Sequence, residues 1–175
     1  MKSKYLILNF LIIFCLICST AIAEREETFW GKGMQVKDGD TVVIAPEAGG
    51  KFFTCRLYGI DAPERDHGRK TGQPYGKEAH RELEWLLLGE RVEVTKTGNK
   101  AGSIEVCMFK QKGIDINLEM VKKGHAWAYK QYLKEPYASE YIEAESEARA
   151  EKLGLWQDND PKPPWEFREA QGSGK

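Results

Sequence analysis

Histidine is scarce in this 175-residue chain: His67, His80 and His125 are the whole supply, and no two stand at a spacing that would hold zinc. His67 falls in a polar loop, His80 on a helix flank and His125 just beyond a helix stop, so none is read as a ligand or a catalytic base. No Ser-His-Asp arrangement and no phosphate-cradling glycine loop stands out, and there is no internal repeat or low-complexity block. An excess of positive charge is missing too. The 26 basic residues are met by 27 acidic ones, so a nucleic acid would have to be held by a local patch or a bound cation rather than by overall charge.

Long apolar runs are confined to the start. Lys2 and Lys4 precede a nearly unbroken apolar stretch from Tyr5 to Cys18, then Ser19-Thr20-Ala21-Ile22-Ala23 and the acidic Glu24-Arg25-Glu26-Glu27. This pattern predicts a secretory signal peptide over 1–23, cleaved after Ala23. A permanent anchor would need about 20 apolar residues, and the bulky Ile17 makes Cys18 a poor lipid-attachment site. The expected mature chain has 152 residues, with 24 basic against 27 acidic, which is one domain's length. Of the four cysteines, Cys55 and Cys107 stay in it, as one disulfide or as two buried thiols.

The remaining pattern predicts an α+β domain. From Phe29 to Tyr58 three strands are broken at Asp38-Gly39-Asp40 and Ala48-Gly49-Gly50. A polar loop over 65–74 leads to a helix over 75–88, with Ala79, Leu83, Leu86 and Leu87 on one face and Gly89 as its stop. Two more strands follow, 91–95 and 104–109, with 96–103 expected to be a loop between them. A short helix over 116–123 is capped by Asp115 and stopped by Gly124. The last predicted helix, 138–152, carries Tyr141, Ala144, Glu145, Ala148 and Leu153 near one side, with Glu145 expected in a buried polar contact. Strand and helix order fit a five-stranded Greek-key barrel of the oligonucleotide-binding type (OB-fold) with three α-helices. The expected division is a signal over 1–23, the domain over 24–156 and a Pro/aromatic tail over 157–175 lying across the body.

Asp40, Arg56, Asp61 and Glu64 would gather at one end of such a barrel. Asp40 and Asp61 offer hard oxygen ligands suited to calcium. Glu64, beyond the stiff Pro63, is placed to take a proton from water, and Arg56 to neutralise a phosphate. Singly each has an ordinary reading: Asp-Gly-Asp as a hairpin turn, Asp-x-Pro-Glu as a loop cap, a strand arginine as a solvated face. Their order and spacing together are more specific.

Lys37-Asp38-Gly39-Asp40-Thr41-Val42, Arg56-Leu57-Tyr58-Gly59-Ile60-Asp61-Ala62-Pro63-Glu64, Asp115-Ile116-Asn117 and Gly124-His125-Ala126-Trp127 resemble the staphylococcal-nuclease-like (thermonuclease) family over roughly 29–156. Pro163-Pro164-Trp165-Glu166-Phe167-Arg168 is similar to the ending of many bacterial members. The resemblance implies calcium-dependent hydrolysis of DNA and RNA phosphodiesters to products ending in 3′-phosphate. By motif it makes Asp40 and Asp61 the Ca2+ ligands, Glu64 the general base, Arg56 the phosphate-binding arginine and Asp38 a support for the metal site. Tyr129 and Tyr132 lie near where the family sets tyrosines against the nucleotide, and cations of the 65–70 loop would add phosphate contacts. A second catalytic arginine of the family falls at Ile104, which implies a slow nuclease or, alternatively, an inactive nucleic-acid-binding OB-fold module. Lys100 or Lys96 is the nearest lysine substitute, with Lys100 the preferred substrate-binding candidate. The resemblance also makes the strands of Cys55 and Cys107 neighbours, which favours a disulfide between them. The expected protein is a secreted or periplasmic monomer acting on single-stranded DNA or RNA, with no stable membrane association after signal removal.

Overall fold

The structure, a computed structural model, describes residues 26–172, so the signal peptide expected over 1–23 lies outside the described residues. Strand β1 (Glu27–Asp38) is long because two hydrogen-bonded neighbours share it: β2 (Thr41–Pro46) along its second half and β5 (Arg91–Ala101) along its first. Register shifts at Gly33/Gln35 and Val36/Asp38 bend it from one side of the barrel to the other. β3 (Phe53–Leu57) pairs antiparallel with β2, and β6 (Ile104–Gln111) antiparallel with β5. Parallel pairing of β3 with β6 closes the five-stranded barrel.

Inside it Val42, Ile44, Leu57, Val92, Val94 and Phe109 are buried, the inward half of a two-residue alternation. Helix α1 (Gly76–Leu87) lays Ala79, Leu83 and Leu87 against this core, the face expected from their spacing. The two-residue strand β4 (Ile60–Asp61) pairs with β8 (Trp127–Ala128), and β7 (Ile114–Asp115) extends the sheet beyond β6. Helix α2 (Ile116–Lys122) begins on Asp115, whose side chain accepts from the Leu118 N–H, as the sequence predicted. In α3 (Ala138–Ala150) Tyr141, Ala144, Glu145 and Ala148 are buried. Glu145 accepts from the Ala128 N–H at 3.1 Å and pairs with Arg149, the polar contact its position implied.

Three boundaries differ from expectation. The 96–103 segment is not a loop: β5 runs to Ala101, irregular between Lys96 and Lys100, and turns back at Gly102-Ser103. Pairing with β6 supplies the extended state that Lys-Thr-Gly-Asn-Lys lacks by propensity. Helix α3 ends at Ala150, leaving Leu153 in the following turn, 37% exposed. A fourth helix, α4 (Pro164–Ala170), forms in the tail, after a short 3-10 turn over Gly154–Gln157. Pro164 starts it at a position where the missing N–H costs nothing. The tail folds back on a second small cluster, Trp127, Ala148, Leu155 and Trp156, with Trp165 packed against it.

Cys55 and Cys107 form a disulfide across the β3–β6 seam. The two are not directly opposite. The parallel register pairs Cys55 with Glu105 and Leu57 with Cys107, so the bridge runs diagonally, with Cα atoms 5.8 Å apart.

Candidate active site

Backbone packing brings the acids together. Gly39 lets the β1–β2 turn sit on the barrel end, because a Cβ there would lie 2.8 Å from both the Ala62 and the Ala79 Cβ atoms. Gly76 does the same for the loop that carries Glu64, since its Cβ would collide with the Glu64 carbonyl. Asp61 is fixed by the pairing of its strand residue with Trp127, and Pro63 stiffens the turn between it and Glu64. The Glu64 N–H donates to Gln73 Oε1 at 3.0 Å, and the Glu64 carbonyl accepts from the Gln73 N–H at 2.7 Å.

Asp40 Oδ2 accepts from the Ala62 N–H at 3.1 Å and lies 2.8 Å from Arg56 Nη2; its Oδ1 accepts from the Thr41 hydroxyl at 2.8 Å. The same Arg56 nitrogen donates to Asp61 Oδ1. Two buried carboxylates thus converge on one cationic nitrogen, and their donor atoms are oxygens only, the set a hard divalent cation requires. The donor chemistry is of the kind calcium takes, and in this structure the same oxygens are bonded to the Arg56 and Arg168 guanidiniums. Asp38 flanks the pair, accepting from the Gly39 N–H and contacting His67 Nε2 at 2.9 Å. Ligand atoms of Asp38, Glu64 and His67 all lie within 4.8 Å of one another, which draws His67 closer to the chemistry than its loop position suggested.

Arg168 was not among the expected site residues. From α4 it reaches Asp61 Oδ2 at 2.7 Å, Asp61 Oδ1 at 3.1 Å and Glu64 Oε1 at 2.7 Å. The signals for it were the Pro163-to-Arg168 ending, given no role in the site, and the Trp165-to-Arg168 step of three residues, which sets both on one side of a helix. Burial pushes the Asp61 carboxyl up to about 6, helped by Asp40 and opposed by Arg168 and Arg56. Burial likewise raises Glu64, against the pull of Arg168. Arg56 is held more firmly protonated, chiefly by Asp40. Burial works against the charge on Arg168, yet Asp61 and Glu64 outweigh it and the group is raised.

The lysine candidates lie apart from these acids. Lys100 pairs with Glu105 at 3.4 Å on the exposed β5–β6 hairpin, and Lys96 bonds Glu27 while covering the Phe29 and Phe53 rings. No hydrogen bond or ion pair among the described residues carries either lysine to the carboxylates. Ile104 shares a face of β6 with Val106, the partner of Arg56, so the position where the resemblance sets an arginine is one pleat from Arg56. Tyr129 is stacked on Trp165, ring centroids 5.2 Å apart and planes within 4°, and it meets Tyr132 edge-on at 4.8 Å. Both tyrosines line an open cleft of about 520 Å³ with Trp165, Lys130 and Arg168. That is a volume of the kind small ligands occupy, roughly 300–1,000 Å³. No described helix is long and apolar enough to cross a membrane.

Comparison with known proteins agrees with this geometry. Residues 54–158, which include Arg56, Asp61 and Glu64, match the family described as "Staphylococcal nuclease homologue". An "Uncharacterized endonuclease" of Haemophilus influenzae is 33% identical over 94% of this chain and 85% of its own. A "Micrococcal nuclease" of Shigella flexneri is 34% identical over 81% of this chain and 82% of its own. A "Staphylococcal-like nuclease" of Arabidopsis thaliana is 37% identical over 71% of this chain, but that stretch is 36% of the longer plant protein. With the barrel, the motif order and these matches in agreement, the chain belongs to the staphylococcal nuclease homologue family.

Proposed function

We propose that the protein is an exported, calcium-dependent nuclease that hydrolyses phosphodiester bonds of DNA, RNA or both, with single strands preferred. The observation that carries this reading is the convergence of Asp40, Asp61, Glu64 and Arg56 at one end of an oligonucleotide-binding barrel. Relatives whose names describe nucleases and endonucleases support the same reaction class.

In the proposed reaction Glu64 receives a proton from water as the water oxygen forms a bond to phosphorus. The bond from phosphorus to the 5′-oxygen breaks, and that oxygen takes a proton from solvent, leaving a 3′-phosphate and a 5′-hydroxyl. The upward shift of Glu64 by burial suits a base that must hold the proton it takes. Arg56 holds the phosphate in a bidentate fork. Asp40 and Asp61 would hold calcium, which supplies positive charge against the phosphate oxygens. Ile104, where the resemblance sets an arginine, supports a slow rate. Lys2, Lys4, the apolar run to Cys18 and the small-x-small site ending at Ala23 support export to a periplasm or the medium, and the expected state is a monomer free of the membrane.

The test is cleavage of single-stranded DNA and RNA by the purified protein in calcium and in chelator, with end-group analysis. Calcium-dependent products bearing 3′-phosphate are expected. Tight binding of either polymer without cleavage would move the account to a binding module.

A further inference from the structure

The tail helix is docked too specifically to be a loose end, and what it delivers to the acids is one guanidinium. Trp165 stacks on Tyr129 and meets Trp127 edge-on at 5.6 Å. Gln73, which fixes the backbone of Glu64, also donates through Nε2 to the Lys162 carbonyl at 3.0 Å. Gln171 closes the far end by donating to the Thr71 carbonyl at 3.2 Å. The loop that carries Glu64 and the helix that carries Arg168 are therefore built as one unit. Arg168 stands one turn after Trp165, half-buried, and its fork spans Asp61 and Glu64.

Arg168 and Arg56 share an oxygen, Asp61 Oδ1. Two guanidiniums gathered around one atom repel each other, and the arrangement is favourable only with anionic oxygens between and beside them. The paired N–H groups that fit carboxylate oxygens fit the oxygens of a phosphate equally well. The cleft beside Arg168, lined by Tyr129, Tyr132, Lys130 and Arg149 as well as Glu145 and Glu169, has room for a nucleotide.

We propose that Arg168 is a second phosphate-holding arginine of the site, delivered by the C-terminal helix, with Arg56 on the barrel as the first. The substrate class is a phosphodiester, and the inference rests on the nuclease reading given above. A fork already bonded to the proposed base lies beside the phosphorus that base would serve. Arg168 then neutralises charge that builds on the phosphate oxygens during attack.

Two readouts test it. The first is kcat and KM on single-stranded DNA in calcium for the wild type, Arg168→Ala and Arg168→Lys. The second is calorimetric binding of a 5′-phosphorylated dinucleotide in chelator. Arg168→Ala is expected to lower kcat by about two to three powers of ten with KM less affected. Arg168→Lys should recover little of that, and added guanidinium should restore part of the Arg168→Ala rate. Dinucleotide affinity should fall about tenfold or more in Arg168→Ala. A variant that cuts as fast as the wild type, or faster, overturns the proposal and makes Arg168 a clasp or a latch. So does a loss of rate that guanidinium does not relieve and that follows a lowered melting temperature. If the wild type itself cuts nothing, the nuclease reading fails by itself, and the dinucleotide measurement still decides whether Arg168 holds phosphate.

Discussion

Reducing the Cys55–Cys107 bridge should weaken the fold at the place where the barrel closes. The bond links positions 52 apart in sequence and lies over the β3–β6 pairing, the contact that turns an open sheet into a barrel. In the chain-entropy account, a cross-link closing a loop of this length restricts the unfolded chain by about 4 kcal/mol. Both cysteines are fully buried, so the reduced thiols still pack as small apolar groups and add little further cost. The assay is urea unfolding with and without reductant, followed by tryptophan fluorescence. With a slope near 2 kcal/mol per molar for a domain of this size, the midpoint should fall by about 2 M. The slope itself should rise in reductant, because the uncross-linked chain unfolds to a more exposed state. Coincident midpoints and slopes would refute the reasoning, showing that the seam holds without covalent help.

Asn117 is fully buried and joins three backbone groups: its Oδ1 accepts from the Phe109 N–H, and its Nδ2 donates to the Tyr58 and Cys107 carbonyls. Asn117→Ala should cost about 3 kcal/mol in denaturant unfolding, since the loss leaves buried groups unpaired. His125 is held below its ordinary 6.5, first by burial and also by Lys123, against the opposing pull of Glu82 and Glu78. Its folded state binds fewer protons than the unfolded chain, so its stability contribution is present above pH 6.5 and lost as pH falls through the lowered value. His125→Asn should therefore flatten the decline of melting temperature on acidification. Ile104→Arg should raise kcat by less than Arg168→Ala lowers it, because a second guanidinium already reaches the acids; steady-state cleavage rates compare the two.

The barrel was legible because its strands alternate and its first helix repeats Ala79, Leu83 and Leu87 on one face, periods that burial imposes directly on sequence. Arg56, Asp61 and Glu64 were legible for another reason: they sit within nine positions around one stiff turn, so local spacing carries their geometry. Asp40 could be added because the β2–β3 pairing sets Thr41 opposite Arg56. Arg168 could not be reached this way. It lies 104 positions from Glu64, on a seven-residue helix with no apolar repeat of its own, which is held by tertiary contacts such as Trp165 against Tyr129 and Trp127. The second half of β5 was hidden similarly, since Lys96 to Ala101 is extended by its partner strand and not by residue type. Tyr129 illustrates the converse: the resemblance set it against the nucleotide, but one face of its ring is taken by Trp165, which no spacing rule announces.

The most direct test of the central claim is the rate of single-stranded DNA cleavage by the wild type and Glu64→Gln, each in calcium and in chelator. The account expects cleavage by the wild type in calcium, none in chelator, and a loss of about two powers of ten or more in Glu64→Gln with DNA binding retained. Equal rates in the two proteins, or undiminished cleavage in chelator, would contradict it.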